Sequence, residues 1–273
     1  MITHHTLSFK STHIHYTDQG SGPAVFLLHG FLEDVRMWQS LKRYLPKRYR
    51  LICIDLFGHG KSGGIGYIYR MDEMAEAVEA VFKALKLRKA HFVGHSMGGY
   101  VALAFAERNP DQLRSLSLIH STSRADWPEK QRDRDRAVAV VKRDCKGFIQ
   151  HAVPMLFSDK ARRNNHKGIA KLISQAITME AGAVAATLEG MKIREDREAI
   201  LHFAPYPILI LAGVNDTVIR SQDTAEQMQA EFVTGVWFPT AHMAPWEMPK
   251  ETATALHYFW NEKYEQLRAM SVR

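Results

Sequence analysis

The chain has 273 residues, 46% hydrophobic and 24% charged, enough to enclose a substantial core in an ordinary globular protein. Its two cysteines lie far apart, with Cys53 inside the apolar run "LICIDL", which excludes a disulfide scaffold and suits a reducing compartment. The net charge of +7 raises the question of a nucleic-acid partner, but the basic residues are scattered, "EKQRDRDR" alternates in sign like a solvated face, and no nucleic-acid motif accompanies them, so none is expected.

The opening "MITHHTLSFK" has no apolar core of signal-peptide length, and no apolar run approaches the roughly 20 residues of a bilayer span. A cytoplasmic protein with no membrane partner is expected. "HTLSFK" and "THIHYTD" alternate and are separated by Ser11, which predicts a β-hairpin ended by "DQGSGP". His13 and His15 would share one strand face there; with no third ligand nearby they read as exposed hairpin histidines rather than a metal site. "AVFLLHG" is a continuous apolar run cut by glycine, the pattern of a strand buried on both faces. "DVRMWQSLKRYL" has helical spacing, "YRLICIDL" is a second buried strand, and "MDEMAEAVEAVFKALKL" is an amphipathic helix. "KAHFVG", "MGGYVALAFAERN" and "LRSLSLIHS" continue as strand, helix and strand.

After Ser121 the alternation stops. Residues 122–203 hold helix-like segments ("RDRAVAVVKRD", "ARRNNHKGIAKLISQAI", "EAGAVAATLEGMKI") and no convincing strand. It resumes with the strand "YPILILAG", the helix "DTAEQMQAEF", the short strand "GVWFPT" and a final helix over about 250–267. The predicted fold is α/β: a mostly parallel sheet of about eight strands, helices on both faces, and a helical insertion between two strands. Residues 1–121 and 204–273 would form the sheet domain and 122–203 the insertion.

"Gly94-His95-Ser96-Met97-Gly98" matches G-x-S-x-G between a predicted strand and a predicted helix, the context that motif requires. A serine on so tight a turn is exposed at the carboxyl edge of the sheet, where open α/β sheets place ligands. The bland alternative is a glycine-rich connection with an incidental capping serine. A serine hydroxyl needs a base, and the base needs an orienting acid. Asp216 in "LILAGVNDTVI" and His242 in "VWFPTAHMAPWEMP" each follow a predicted strand, in the order Ser, Asp, His that accompanies this motif. Asp126, past the preceding strand, is the alternative acid. Two backbone N–H groups would form the oxyanion hole: Met97, after the serine, and Phe31, in the loop that ends the first buried strand.

With "HGF" at 29–31, "DLFGHGKS" at 55–62, "GHSMGG" at 94–99, "GVNDTVI" at 213–219 and "AHMAPWEMP" at 241–249, the sequence resembles an α/β-hydrolase fold enzyme over nearly all of the chain outside 122–203. The resemblance implies that the insertion is a helical cap over the active site and that Asp55 and His59 belong to a structural loop. It implies a carboxylesterase-like serine hydrolase that acts on a small-molecule ester and uses neither metal nor organic cofactor. Met155, Leu156 and Phe157 in the cap, with Phe31 and Met243, are candidate pocket lining, against ordinary core packing as the alternative. Arg162 and Arg163 would attract an anionic substrate or simply form a solvated face. Relatives with dehalogenase or epoxide hydrolase chemistry carry Asp where this chain has Ser96. Carbon–carbon bond hydrolysis, perhydrolase or lyase chemistry and a small-molecule receptor with little turnover remain alternatives. Oligomeric state and natural substrate are not encoded in any motif.

Overall fold

The structure, a computed structural model, describes residues 2–272. Its eight strands are β1 (Ile2–Phe9), β2 (Thr12–Gln19), β3 (Ala24–Leu28), β4 (Arg50–Ile54), β5 (Ala90–His95), β6 (Leu113–Ile119), β7 (Ile208–Gly213) and β8 (Val233–Phe238). They form one sheet in the order β1-β2-β4-β3-β5-β6-β7-β8. The β1–β2 hairpin joins β4 antiparallel, and every other pairing is parallel. Parallel strands share a direction, so β3, β5, β6, β7 and β8 all release their chains at one edge of the sheet.

The continuous apolar runs make sense once both faces are covered. Side chains alternate across a strand. Phe26, Leu28, Ile52, Ile54 and Phe92 face one apolar cluster, packed against the helices Met71–Ala84 and Met97–Arg108. Val25, Leu27, Leu51, Cys53 and Val93 face the other, against Trp38, Leu41, Leu256 and Phe259. Phe92 stacks between Phe26 and Phe105, at 4.9 and 4.3 Å between ring centroids. Cys53 is a buried free thiol.

Helices Pro128–Met155, Asp159–Asn164, His166–Ala176, Ala181–Lys192 and Ala199–Phe203 all lie between β6 and β7. The first runs well beyond the expected 134–144, because Val138, Val141, Ile149 and Val153 keep an apolar stripe going. It breaks at Asp144 (φ −150°, ψ 82°), whose Oδ1 accepts the N–H of Gly147 at 2.9 Å and so caps the second half. Three other expected helices are shorter. Residues 35–42 divide into a 3₁₀ turn and a short helix, Ser221–Gln227 replaces 223–232, and the terminal helix stops at Trp260 before a separate Tyr264–Arg268. Among the described residues, no helix is long and apolar enough to cross a membrane.

Candidate active site

Ser96 follows β5 directly with φ +50° and ψ −117°, a conformation that costs a non-glycine residue energy and persists only where its surroundings hold it. Its N–H donates to Ile119 O at 2.9 Å, and its carbonyl accepts from Ser121 Oγ at 2.8 Å and from the Gly99 N–H at 2.9 Å. The helix Met97–Arg108 starts immediately after it, so the Met97 N–H has no intrahelical acceptor and stays available beside the hydroxyl. The helix is pressed onto β3 at Gly98, where a Cβ would stand 2.1 Å from the carbonyl oxygen of Leu28. Gly98→Ala therefore sets backbone against backbone and is expected to cost about 1–3 kcal/mol of stability, read as a lowered Tm. An unchanged Tm would mean that the helix shifts freely off the strand.

The structure brings Ser96, Asp216 and His242 together from the ends of β5, β7 and β8. His242 Nε2 lies 2.9 Å from Ser96 Oγ, and His242 Nδ1 lies 2.9 Å from Asp216 Oδ2. Ser96 is 9% exposed and His242 2%. Asp216 Oδ1 accepts the N–H groups of Val218 at 2.8 Å and Ile219 at 3.2 Å. Burial pushes the Asp216 carboxyl upward, but the charge and hydrogen bonds of the histidines around it outweigh this and hold it well below the usual carboxylate range. A carboxylate so bonded keeps Nδ1 of His242 protonated and leaves Nε2 free to accept from the serine.

The loop after β3 is ordered by its neighbours. Gly30 N–H donates to Glu33 Oε2 at 2.7 Å, and Leu32 N–H donates to His59 Nε2 at 3.3 Å. Phe31 stands between these two anchored residues, and its N–H has no acceptor among the described residues. Glu33 is also 2.9 Å from His95 Nδ1, and His95 Nε2 donates to the carbonyl of His242 at 2.8 Å. Burial opposes charge on both partners of this pair. Their mutual attraction and hydrogen bonds prevail, so His95 is raised and Glu33 lowered. The ion pair thus ties the Phe31 loop to the His242 loop behind Ser96. Sequence reasoning did not find His95, Glu33 or His120, which also bonds Asp216. For His95 the available signal was its place inside "GHSMGG", and for Glu33 its place two residues after "HGF".

Asp126, the alternative acid, is taken by Arg194 (2.5 Å) and Arg134 (2.6 Å). Asp55 accepts from Val35 N (2.8 Å), Lys61 N (2.9 Å) and His15 Nδ1 (2.6 Å), and His59 Nδ1 bonds the Phe57 carbonyl at 2.8 Å, so both brace their loop. The expectation of two exposed hairpin histidines fails for His15. It is buried against Asp55, whose N–H donates to the His15 carbonyl at 3.0 Å, while His13 stays exposed and bonds the Lys61 carbonyl. Met155, 53% exposed, and Phe157 line a cleft of about 720 Å³ that reaches Asp216. Met243 is fully buried in the main apolar cluster. Arg162, on the rim of that cleft, pairs with Asp159 one helical turn away. His120, Asp216 and His242 offer ligand atoms within 4.8 Å of one another, a spacing that suits a metal ion. Each ring nitrogen of that group is nevertheless already engaged with Asp216, Ser96 or the Ala244 N–H.

A family model described as alpha/beta hydrolase fold matches residues 23–249. A pimeloyl-[acyl-carrier protein] methyl ester esterase of Nitrosomonas europaea is 28% identical over 85% of this chain and 93% of its own length. A dihydrolipoyllysine-residue acetyltransferase component of the acetoin cleaving system of Pseudomonas putida is 31% identical over 78% of this chain, and the match spans 57% of that protein. Among solved structures, a thermophilic esterase from Thermogutta terrifontis superposes with a TM-score of 0.89 at 29% identity, covering 96% of this chain and 99% of that one.

Proposed function

The chain belongs to the alpha/beta hydrolase fold family, and on that premise we propose that it is a serine esterase that cleaves a small carboxylic ester through an acyl-enzyme, with residues 122–203 as its cap. The observation that carries this reading is the unbroken path from Ser96 Oγ through His242 to Asp216, two hydrogen bonds of 2.9 Å, hung on a strained turn. Esterases among the relatives support the ester.

In this mechanism Ser96 Oγ attacks the ester carbonyl carbon while His242 Nε2 takes the hydroxyl proton. The carbonyl π pair moves onto oxygen, and the N–H groups of Phe31 and Met97 stabilise that oxyanion. Collapse breaks the bond to the alkoxy oxygen, which leaves with the proton from His242. A water then gives His242 a proton, attacks the acyl carbon and releases the acid, returning the proton to Ser96. Asp216 stays ionised throughout and holds the imidazolium. The Met155–Phe157 side of the cleft supplies apolar contact for the substrate.

A fluorophosphonate probe is expected to label Ser96 stoichiometrically, and short-chain nitrophenyl esters to turn over. Folded protein that is left unlabelled would sink the activated-serine reading. Labelling without turnover of any ester in a panel would turn the reading toward a receptor.

A further inference from the structure

Asp216 carries a second histidine. His120 stands one residue past β6 with φ +49°, and its Nδ1 lies 2.9 Å from Asp216 Oδ2, the oxygen that His242 also uses. Its Nε2 accepts the N–H of Ala244, two residues beyond His242, at 3.1 Å. A ring nitrogen that accepts carries no proton, so Nδ1 holds the only one and donates it as a neutral imidazole. Burial keeps the ring neutral, pushing it down to about 4 despite the hydrogen bond to Asp216. The neighbouring strand leaves space for it: a Cβ on Gly213 would meet His120 Cε1 at 2.9 Å.

We propose that His120 is a positioning residue of the reaction centre, one rigid ring that fixes Asp216 Oδ2 to the backbone of the His242 loop and shares the charge of that oxygen with His242. It cannot replace the base, since neither nitrogen is free. Its effect on rate rests on the serine-esterase reading above; its geometry does not. The charged or titratable groups facing the ring are Asp216, His242, at 5.4 Å between centroids, and His95, at 6.0 Å. The bond from His120 withdraws part of the negative charge on Oδ2. Without it, Asp216 attracts a protonated His242 more strongly and is itself less well held. The acid limb of kcat/KM then moves to higher pH, and kcat falls.

The test compares His120→Leu, which has no donor, with His120→Asn, whose amide nitrogen replaces Nδ1 and whose backbone tolerates positive φ. In His120→Leu, kcat on a short-chain nitrophenyl ester is expected to fall about ten- to a hundredfold, KM to change little, and the acid limb to rise. His120→Asn is expected to keep the native acid limb and to stay within about tenfold of native kcat. Proton NMR gives a readout that needs no turnover. Besides the downfield Nδ1–H signals of the His15–Asp55 and His95–Glu33 pairs, the native protein should show two from the histidines on Asp216, and His120→Leu should keep one of these two, moved further downfield as the sole histidine donor to Oδ2. A native acid limb and an unmoved signal in His120→Leu would overturn the proposal. So would a loss of kcat in both variants with the acid limb unchanged. If His120→Leu does not fold, a folded His120→Asn with kcat down a hundredfold or more overturns it. Absence of turnover in the native protein would remove the esterase reading and leave the NMR comparison to decide this one.

Discussion

Ser96→Ala is expected to lower kcat on short-chain esters by at least about ten-thousandfold while the protein stays folded. The hydroxyl is the attacking atom of the proposed mechanism, and no other hydroxyl bonds His242 Nε2 among the described residues. What survives should be the slow attack of water on a carbonyl held by the Phe31 and Met97 N–H groups. The substitution is clean because the anchors of the turn are main-chain: Ser96 N to Ile119 O, and Ser96 O from Ser121 Oγ. A near-native Tm with lost turnover separates chemistry from folding. Turnover retained within a factor of about a hundred would contradict the nucleophile assignment, since removing a lone nucleophile costs far more.

Asp216→Asn should cost nearly as much in kcat, about ten-thousandfold, and some stability besides. The carboxylate receives four N–H donors: Val218 and Ile219 on Oδ1, His120 and His242 on Oδ2. An amide has only one accepting end. If its oxygen serves the two backbone groups, its NH2 meets two imidazole N–H groups. His242 then carries its proton on Nε2 and cannot accept from Ser96. His120 cannot make the same change, because its Nε2 already accepts from Ala244. At least one donor is left unpaired in either orientation, His120 Nδ1–H in this one and the Val218 and Ile219 N–H groups in the other, at about 1–3 kcal/mol each. Paired kcat and Tm measurements check both halves. Asp126→Asn is the control, since Asp126 serves Arg134 and Arg194 and does not touch His242. A larger loss of turnover there than in Asp216→Asn would show that the acid is misassigned.

The sheet was legible in the sequence because burial on both faces writes unbroken apolar runs such as "AVFLL" and "ILILA", cut off where the chain turns into the site. Ser96, Asp216 and His242 were legible for a related reason: each follows such a run, and parallel strands deliver their ends to one edge. The histidine environment was not. His15, His95 and His120 look alike in sequence, yet one braces a loop, one is half of a buried ion pair and one shares the carboxylate of Asp216. Those differences come from contacts between residues as far apart as 96 positions, which no local pattern records. The break at Asp144 was hidden too, since the apolar stripe runs on across it and only the capping bond to Gly147 marks the change. Met243 is adjacent to His242 in the chain, but adjacency does not fix direction, and its side chain goes into the core.

The segment after the long inserted helix makes two contacts that reach beyond packing. The N–H of His242 donates to the carbonyl of Leu156 at 3.0 Å, and Glu247 accepts from the hydroxyl of Ser158. The connection between the first two inserted helices therefore helps to seat His242 itself. In evolutionary terms, the proposed cap and the His242 loop share a joint here. A lineage that exchanges the whole insertion for another disturbs the seat of His242, whereas one that varies residues 162–192 leaves that joint untouched. With the insertion as the proposed cap, diversification of substrate should then proceed by replacing the outer helices piecemeal around a retained 156–158 segment, rather than by wholesale exchange.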